Sequence, residues 1–163
     1  MKDWKAYEIV VSRKEVSKPR EKIESPKVAA QLFAEFADDS TQESMFIIVV
    51  GGRNNMLGIQ QLYVGTATGT SVAVGEMFRA CIAMGGQGIV IVHNHPSGDS
   101  QPSEEDIKLT KDAVAGSLLL DIQLLDHLVI GENGSYTSIR SQKPSLWEPA
   151  AESLLAEISE VIV

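Results

Sequence analysis

His93, His95 and Asp106 form the one stretch of this 163-residue chain in which two imidazoles and a carboxylate follow one another closely enough to share a cation. They lie in the run His93-Asn94-His95-Pro96-Ser97-Gly98-Asp99, continued by Pro102-Ser103-Glu104-Glu105-Asp106. Neutral imidazole nitrogens and a carboxylate oxygen suit zinc, which in catalytic sites takes three protein ligands and keeps a fourth position for water. Zinc acidifies such a water to near neutrality, and attack on an amide carbonyl then needs a base for the proton and a donor for the oxyanion. Ser103, three residues before Asp106, offers a donor hydroxyl. The base has to be a carboxylate brought in from elsewhere in the fold.

The flanking elements must make this geometry. The apolar run Gly88-Ile89-Val90-Ile91-Val92 reads as a buried strand, so His93 and His95 at its end point to one side. After the turn Pro-Ser-Gly-Asp, the segment from Glu104 to Leu119 has helical character, and Asp106 in its first turn can swing back toward the strand end. Before these, residues 6 to 12 look like a short strand, and the charged stretch to Glu24 like a loop or extended arm. Ser25 and Pro26 open a helix to about Asp38 with Val28, Leu32, Phe33 and Phe36 on its apolar side. Met45 to Val50 and Met56 to Val64 form a hairpin around Gly51-Gly52-Arg53-Asn54-Asn55. A helix from Ser71 to Met84 ends at Gly85-Gly86-Gln87-Gly88 and leads into the histidine strand. Leu124 to Ile130 and Ser135 to Ile139 are further strands about a turn at Glu132-Asn133-Gly134. The result is a mixed β-sheet flanked by helices, in the α/β (α+β) class.

Each chemical residue also has a plain structural explanation. Ser103-Glu104-Glu105-Asp106 resembles a capping box, with Asp106 as a shorter acidic substitute for the usual glutamate. That explanation does not account for two histidines on one face of a strand end. His127, next to Asp126, reads as a satisfied histidine near the core edge; as a fourth ligand it would close the shell and make the site structural. Asn94, Ser97 and Asp99 shape the turn or orient the ligands. Cys81, the only cysteine, reads as a small core residue, and its solitude excludes internal disulfides and a cysteine-rich zinc site. Trp4 and Trp147 read as packing anchors.

Length and composition, 44% apolar and 22% charged, fit one globular domain with a real core. The apolar runs are too short to span a bilayer and the start Met1-Lys2-Asp3-Trp4-Lys5 lacks a signal-peptide stretch, which sets a cytoplasmic protein as the expectation. The net charge of −8 is uneven: residues 1 to 27 hold eight of the fourteen bases against five acids, leaving six bases against seventeen acids. Such an acidic body argues against nucleic acid as a partner. The tail from Pro149 carries Leu154, Leu155, Ile158, Val161 and Ile162 at helical spacing, an amphipathic helix for packing on its own domain or for a homodimer contact. The chain divides into an amino-terminal strand and charged arm (1–24), a main domain (25–147) and this helix (148–163).

The pattern of a glutamate, then His-x-His, seven residues, Ser, two residues and Asp resembles the JAMM (JAB/MPN) metalloprotease motif, which His93, His95, Ser103 and Asp106 match without a gap. The wider string His93 to Asp99, then Pro102-Ser103 and Asp106, Lys108-Leu109-Thr110 and Leu125-Asp126-His127 resembles the RadC-like branch, from about Ser25 to Ser141. The amino-terminal helix-hairpin-helix region usual in that branch does not appear in this sequence. The resemblance implies a JAB/MPN-like, cytidine-deaminase-like architecture and Zn2+ held by His93, His95 and Asp106. It also implies a glutamate just before an early strand as general base. Glu43 fits, because it precedes Met45 to Val50; Glu76, in the helix before the histidine strand, is the alternative.

The expected function is therefore zinc-dependent hydrolysis of a peptide or isopeptide bond, with Glu43 moving protons and Ser103 stabilising the oxyanion. A DNA-repair-associated accessory module and a noncatalytic metal-binding scaffold are the competing readings. Two other zinc chemistries are excluded: nucleotide deamination needs a Pro-Cys-x-x-Cys arrangement, and zincin proteolysis needs His-Glu-x-x-His.

Overall fold

The computed structural model describes residues 22–37, 41–65 and 73–148. The strand expected at 6–12, the helix expected beyond 149 and most of the 65–71 loop lie outside the described residues. Within them the chain runs α1 (Pro26–Phe36), β1 (Ser44–Val50), β2 (Met56–Val64), α2 (Val74–Met84), β3 (Gly88–Asn94), α3 (Glu104–Leu120), β4 (Gln123–Ile130), β5 (Tyr136–Ser138) and α4 (Ile139–Gln142), with 3-10 turns at Gly52–Asn54, Glu132–Gly134 and Pro144–Trp147.

Five strands form one mixed sheet in the order β2-β1-β3-β4-β5. β1 is antiparallel to both β2 and β3, β3 is parallel to β4, and β4 is antiparallel to β5. The parallel β3–β4 pair needs a crossover, and α3 supplies it. The expected hairpin, the histidine strand and the helix after it all form. The return strand stops at Ser138 rather than Ile139, because the Ser138 side chain caps Ser141 and starts α4 there.

β1 and β3 are buried along their whole length, since helices cover both faces of the sheet. Alternation along the strands divides the core in two. Met45, Ile47 and Val49 of β1 pack with Ile89 and Ile91 of β3 against Met77, Phe78 and Cys81 of α2 and Ala113 and Val114 of α3. Phe46, Ile48 and Val50 pack with Val90 and Val92 against Ala29, Leu32 and Phe33 of α1. Cys81 is a buried free thiol in the first of these layers. At the start of α1, Ser25 caps the Val28 amide and Pro26 takes the first helical turn. Trp147 donates its indole N–H to the Leu124 carbonyl at 2.7 Å and stacks beneath Arg140, tying the last described turn to β4. No helix among the described residues is long and apolar enough to cross a membrane.

Candidate metal centre

The alternation that points Ile89 and Ile91 at α2 and α3 carries on to His93, so its imidazole emerges, fully buried, on the α3 side of the sheet. His95 lies one residue past the end of β3, yet its amide still donates to the Ile130 carbonyl at 2.9 Å, which keeps it aligned with β4. The turn that follows closes by a bond from the Gly98 amide to the His95 carbonyl, with Gly98 at φ +82. A side chain at that φ would be strained, so the conformation calls for glycine; a Cβ there would also crowd the exposed Glu132 side chain, at 3.1 Å. The turn brings the Asp99 carbonyl to 2.9 Å from His95 Nδ1. A carbonyl only accepts, so Nδ1 carries a proton, and Nε2 is the nitrogen that faces inward toward Asp106.

Asp106 arrives from α3 through a complete capping box. The Ser103 hydroxyl oxygen accepts from the Asp106 amide at 3.1 Å, and Asp106 Oδ2 accepts from the Ser103 amide at 2.7 Å. The Ser103 hydroxyl also donates to that oxygen, at 2.7 Å. The cap and the ligand arrangement are thus one structure, since holding the carboxylate against Ser103 turns it toward the strand.

His93 Nε2 lies 3.1 Å from His95 Nε2 and 3.0 Å from Asp106 Oδ1, while His95 Nε2 lies 3.2 Å from Asp106 Oδ2. The three residues each offer one ligand atom, all within 4.8 Å of one another, and could hold a metal ion. The spacing itself tests the fit. Ligands bound to zinc at about 2.0–2.2 Å in a tetrahedral arrangement stand roughly 3.3–3.6 Å apart, a few tenths of an ångström beyond the 3.0–3.2 Å between these atoms.

The electrostatics agree. Burial alone would push the Asp106 carboxyl up, but hydrogen bonds from His93, His95 and Ser103 and the charge of His93 together hold it well below the usual carboxylate range. The hydrogen bond to Asp106 raises the His95 pKa, against burial and with help from the Asp99 carbonyl and the charges of Asp106 and Glu43. Such a cluster draws in positive charge, either a proton or a metal ion.

Glu43 directly precedes β1, whose antiparallel register pairs Met45 with His93, and it sits half-buried at the same sheet end as His95. Ser44 locks that end: its amide and hydroxyl both donate to Asn94 Oδ1 at 2.9 Å, and Asn94 Nδ2 donates to the Gln42 carbonyl at 3.0 Å. Tyr63 donates to Glu43 Oε1 at 2.5 Å. Burial, this bond and the nearby negative charges of Glu43 and Asp106 push the Tyr63 hydroxyl above its ordinary pKa, so it remains a donor. Glu76, the alternative base, is an α2 residue ion-paired with Arg79.

His127 is fully buried, and both its nitrogens are engaged within the protein: Nε2 lies 2.9 Å from His93 Nδ1 and Nδ1 lies 2.8 Å from Thr110 Oγ1. Burial, then the charge of His93, pushes its pKa well below the ordinary value, so it stays neutral. Sequence reasoning did not single out Tyr63, and it named Thr110 only within the resembling string, with no role. Thr110 stands four residues after Asp106 and hence on the same side of α3, a spacing that could have marked it. Tyr63 carries no local signal, because only the β1–β2 register brings it to Glu43.

Comparison with known proteins agrees with this architecture. Residues 23–144 match the family model described as the RadC-like JAB domain. A UPF0758 protein of Trichodesmium erythraeum is 44% identical over 126 residues, 77% of this chain and 51% of that protein. One from Roseiflexus castenholzii is 41% identical over 130 residues, 80% of this chain and 55% of that protein. Another, from Chloroflexus aurantiacus, is 38% identical over 120 residues, 74% of this chain and 52% of that protein. The chain spans about half the length of the curated relatives it matches. With three quarters of its length matched by the family model, the chain belongs to the RadC-like JAB domain family.

Proposed function

We propose that this chain is a zinc-dependent hydrolase of the JAMM type that cleaves peptide or isopeptide bonds. The observation that supports this most directly is the convergence of His93 Nε2, His95 Nε2 and the Asp106 carboxylate at separations of 3.0–3.2 Å, beside a glutamate at the same sheet end. In this reading His93, His95 and Asp106 hold the ion. When bound, zinc supplies Lewis acidity, acidifying water and polarising a carbonyl.

The chain's own groups do the rest. Glu43 accepts the proton of the attacking water through the oxygen that Tyr63 does not engage and later hands it to the leaving amine. Tyr63 fixes the carboxylate by its bond to Oε1. Ser103 is the oxyanion donor. Its hydroxyl donates to Asp106 Oδ2 in the resting arrangement, and it becomes available to substrate when a cation neutralises that carboxylate. The partner is a peptide or an isopeptide-linked protein, and the acidic body repels phosphate backbones.

The test is metal content by mass spectrometry together with hydrolysis of a panel of peptides and lysine-isopeptide-linked substrates. Wild type and Glu43→Gln are expected to carry one zinc per chain, with turnover in wild type only. Equal turnover in Glu43→Gln would remove Glu43 from the mechanism. Zinc without turnover on any substrate would favour a noncatalytic metal-binding scaffold.

A further inference from the structure

Building on the metal-site reading above, we propose that His127 and Thr110 are positioning residues: together they hold His93 in the one tautomer that presents an Nε2 lone pair to a cation. The direction of this relay is decided at its far end. Thr110 Oγ1 lies 2.6 Å from the Asp106 backbone carbonyl, which has no proton to offer, so the hydroxyl proton points there. The same oxygen lies 2.8 Å from His127 Nδ1, and with its single proton committed it can only accept. His127 Nδ1 therefore carries a proton. A neutral imidazole protonated there has its lone pair on Nε2, and that atom lies 2.9 Å from His93 Nδ1. His93 Nδ1 must donate, which leaves Nε2 free to face His95 and Asp106.

The relay closes on itself. It leaves the Asp106 carboxylate through His93, crosses His127 on β4 and Thr110 on α3, and ends on the Asp106 carbonyl. A metal-ligating histidine commonly gives its second N–H to a carboxylate or carbonyl, which fixes the ring. Here a neutral imidazole and a hydroxyl stand between the ligand histidine and the carbonyl that sets its tautomer. Thr110 and His127 have no solvent exposure, so water offers no substitute partner.

A backbone irregularity makes the relay possible. Ile89 pairs with Leu124 but Val90 pairs with Asp126, so β4 has one residue more than β3 at this point. The extra residue sets His127 opposite Ile91, on the face where His93 emerges. With strict alternation from Leu124, the side chain at 127 would turn to the α1 face.

The test combines 15N NMR of the imidazole nitrogens in the metal-free chain with Zn2+ affinity measured by competition against a chromophoric chelator. Wild type should show a proton on Nδ1 of both His93 and His127. Thr110→Val removes the anchoring hydroxyl at nearly constant shape. It should move both rings toward the Nε2–H tautomer and weaken Zn2+ binding roughly 10-fold to 100-fold, and Thr110→Ser should restore both readouts. Should the valine variant fold poorly, His127→Gln, whose amide oxygen can still accept from His93, is expected to bind Zn2+ more tightly than His127→Leu. A hydroxyl that only packs the core would alter thermal stability and leave tautomer and affinity unchanged, and that result would overturn the proposal. Wild type with both Nδ1 protons in place but no Zn2+ binding would sink the metal reading alone and leave the tautomer lock standing.

Discussion

Ser103 serves both as the cap of α3 and, in the proposed mechanism, as the oxyanion donor, and the two roles separate by substitution. Removing the side chain in Ser103→Ala leaves the Asp106 amide without its acceptor and should lower unfolding stability by about 1 kcal/mol in chemical denaturation. Ser103→Asn restores a side-chain acceptor but no hydroxyl. It is expected to recover the stability and not the turnover, which should remain reduced on the order of 100-fold or more; recovery of both would leave Ser103 a cap alone. Tyr63→Phe tests the neighbouring contact. It should keep one zinc per chain and lower kcat on the order of 10-fold to 100-fold, because Glu43 loses the bond that orients it. An unchanged kcat would mean that the backbone places Glu43 unaided. The clustering of His93, His95 and Asp106 was readable because its parts are local: two histidines at the end of an apolar strand, and a carboxylate in the first turn of the next helix. Tyr63 was invisible because its neighbour in space is twenty residues away and is reached only through the hairpin register.

At the scale of elements, the irregularity in β4 marks where sequence patterning stopped being sufficient. Leu124 and Leu125 face opposite helix layers, and Leu125 and Asp126 then both fall on the α1 side, so the apolar spacing gives no sign of which way His127 points. Asp126 stabilises the site of the extra residue. Its carboxylate accepts from the His127 and Arg140 amides at 2.8 and 3.2 Å and from the Ser138 hydroxyl at 2.6 Å, joining β4 to β5 and α4. Burial nevertheless raises its pKa above the ordinary value against these bonds. A raised folded-state pKa means that Asp126 contributes most below the unfolded value near 3.9 and loses that contribution as pH rises through the folded value. Asp126→Asn cannot ionise, so its stability relative to wild type should improve as pH rises above about 4 and level off once the raised folded-state pKa is passed, in denaturant titrations of the metal-free chain. A flat or falling difference would show that the three donors outweigh burial. The α2–α3 contact allows a second forecast. A Cβ at Gly116 would stand 2.6 Å from Val74 Cγ1 and 3.0 Å from Phe78 Cε2. Gly116→Ala gains about 1 kcal/mol of helix propensity and incurs about 1–3 kcal/mol of overpacking. Net destabilisation is expected, with a lowered midpoint and unchanged denaturant slope.

For the molecule as a whole, the sheet-and-helix class was legible because each strand and helix carries its own period, whereas the order β2-β1-β3-β4-β5 depends on pairings between distant segments. A bound ion would act on global stability, because His93, His95 and Asp106 come from the end of β3, the turn after it and α3, segments that unfolding separates. An ion that binds the folded state alone adds RT ln(1 + [L]/Kd), about 2.7 kcal/mol at a hundredfold excess over Kd. Zn2+ should therefore raise the melting temperature of the wild-type chain by several degrees, and a chelator should reverse the rise. Asp106→Asn can keep much of the cap, since its amide oxygen still accepts from the Ser103 amide, but it supplies no charged ligand. It should fold and melt at one temperature with and without Zn2+. Binding to unfolded histidines cannot mimic this pattern, because all three histidines remain in that variant. An equal Zn2+-induced rise in Asp106→Asn would place the ion elsewhere and remove the α3 carboxylate from the site.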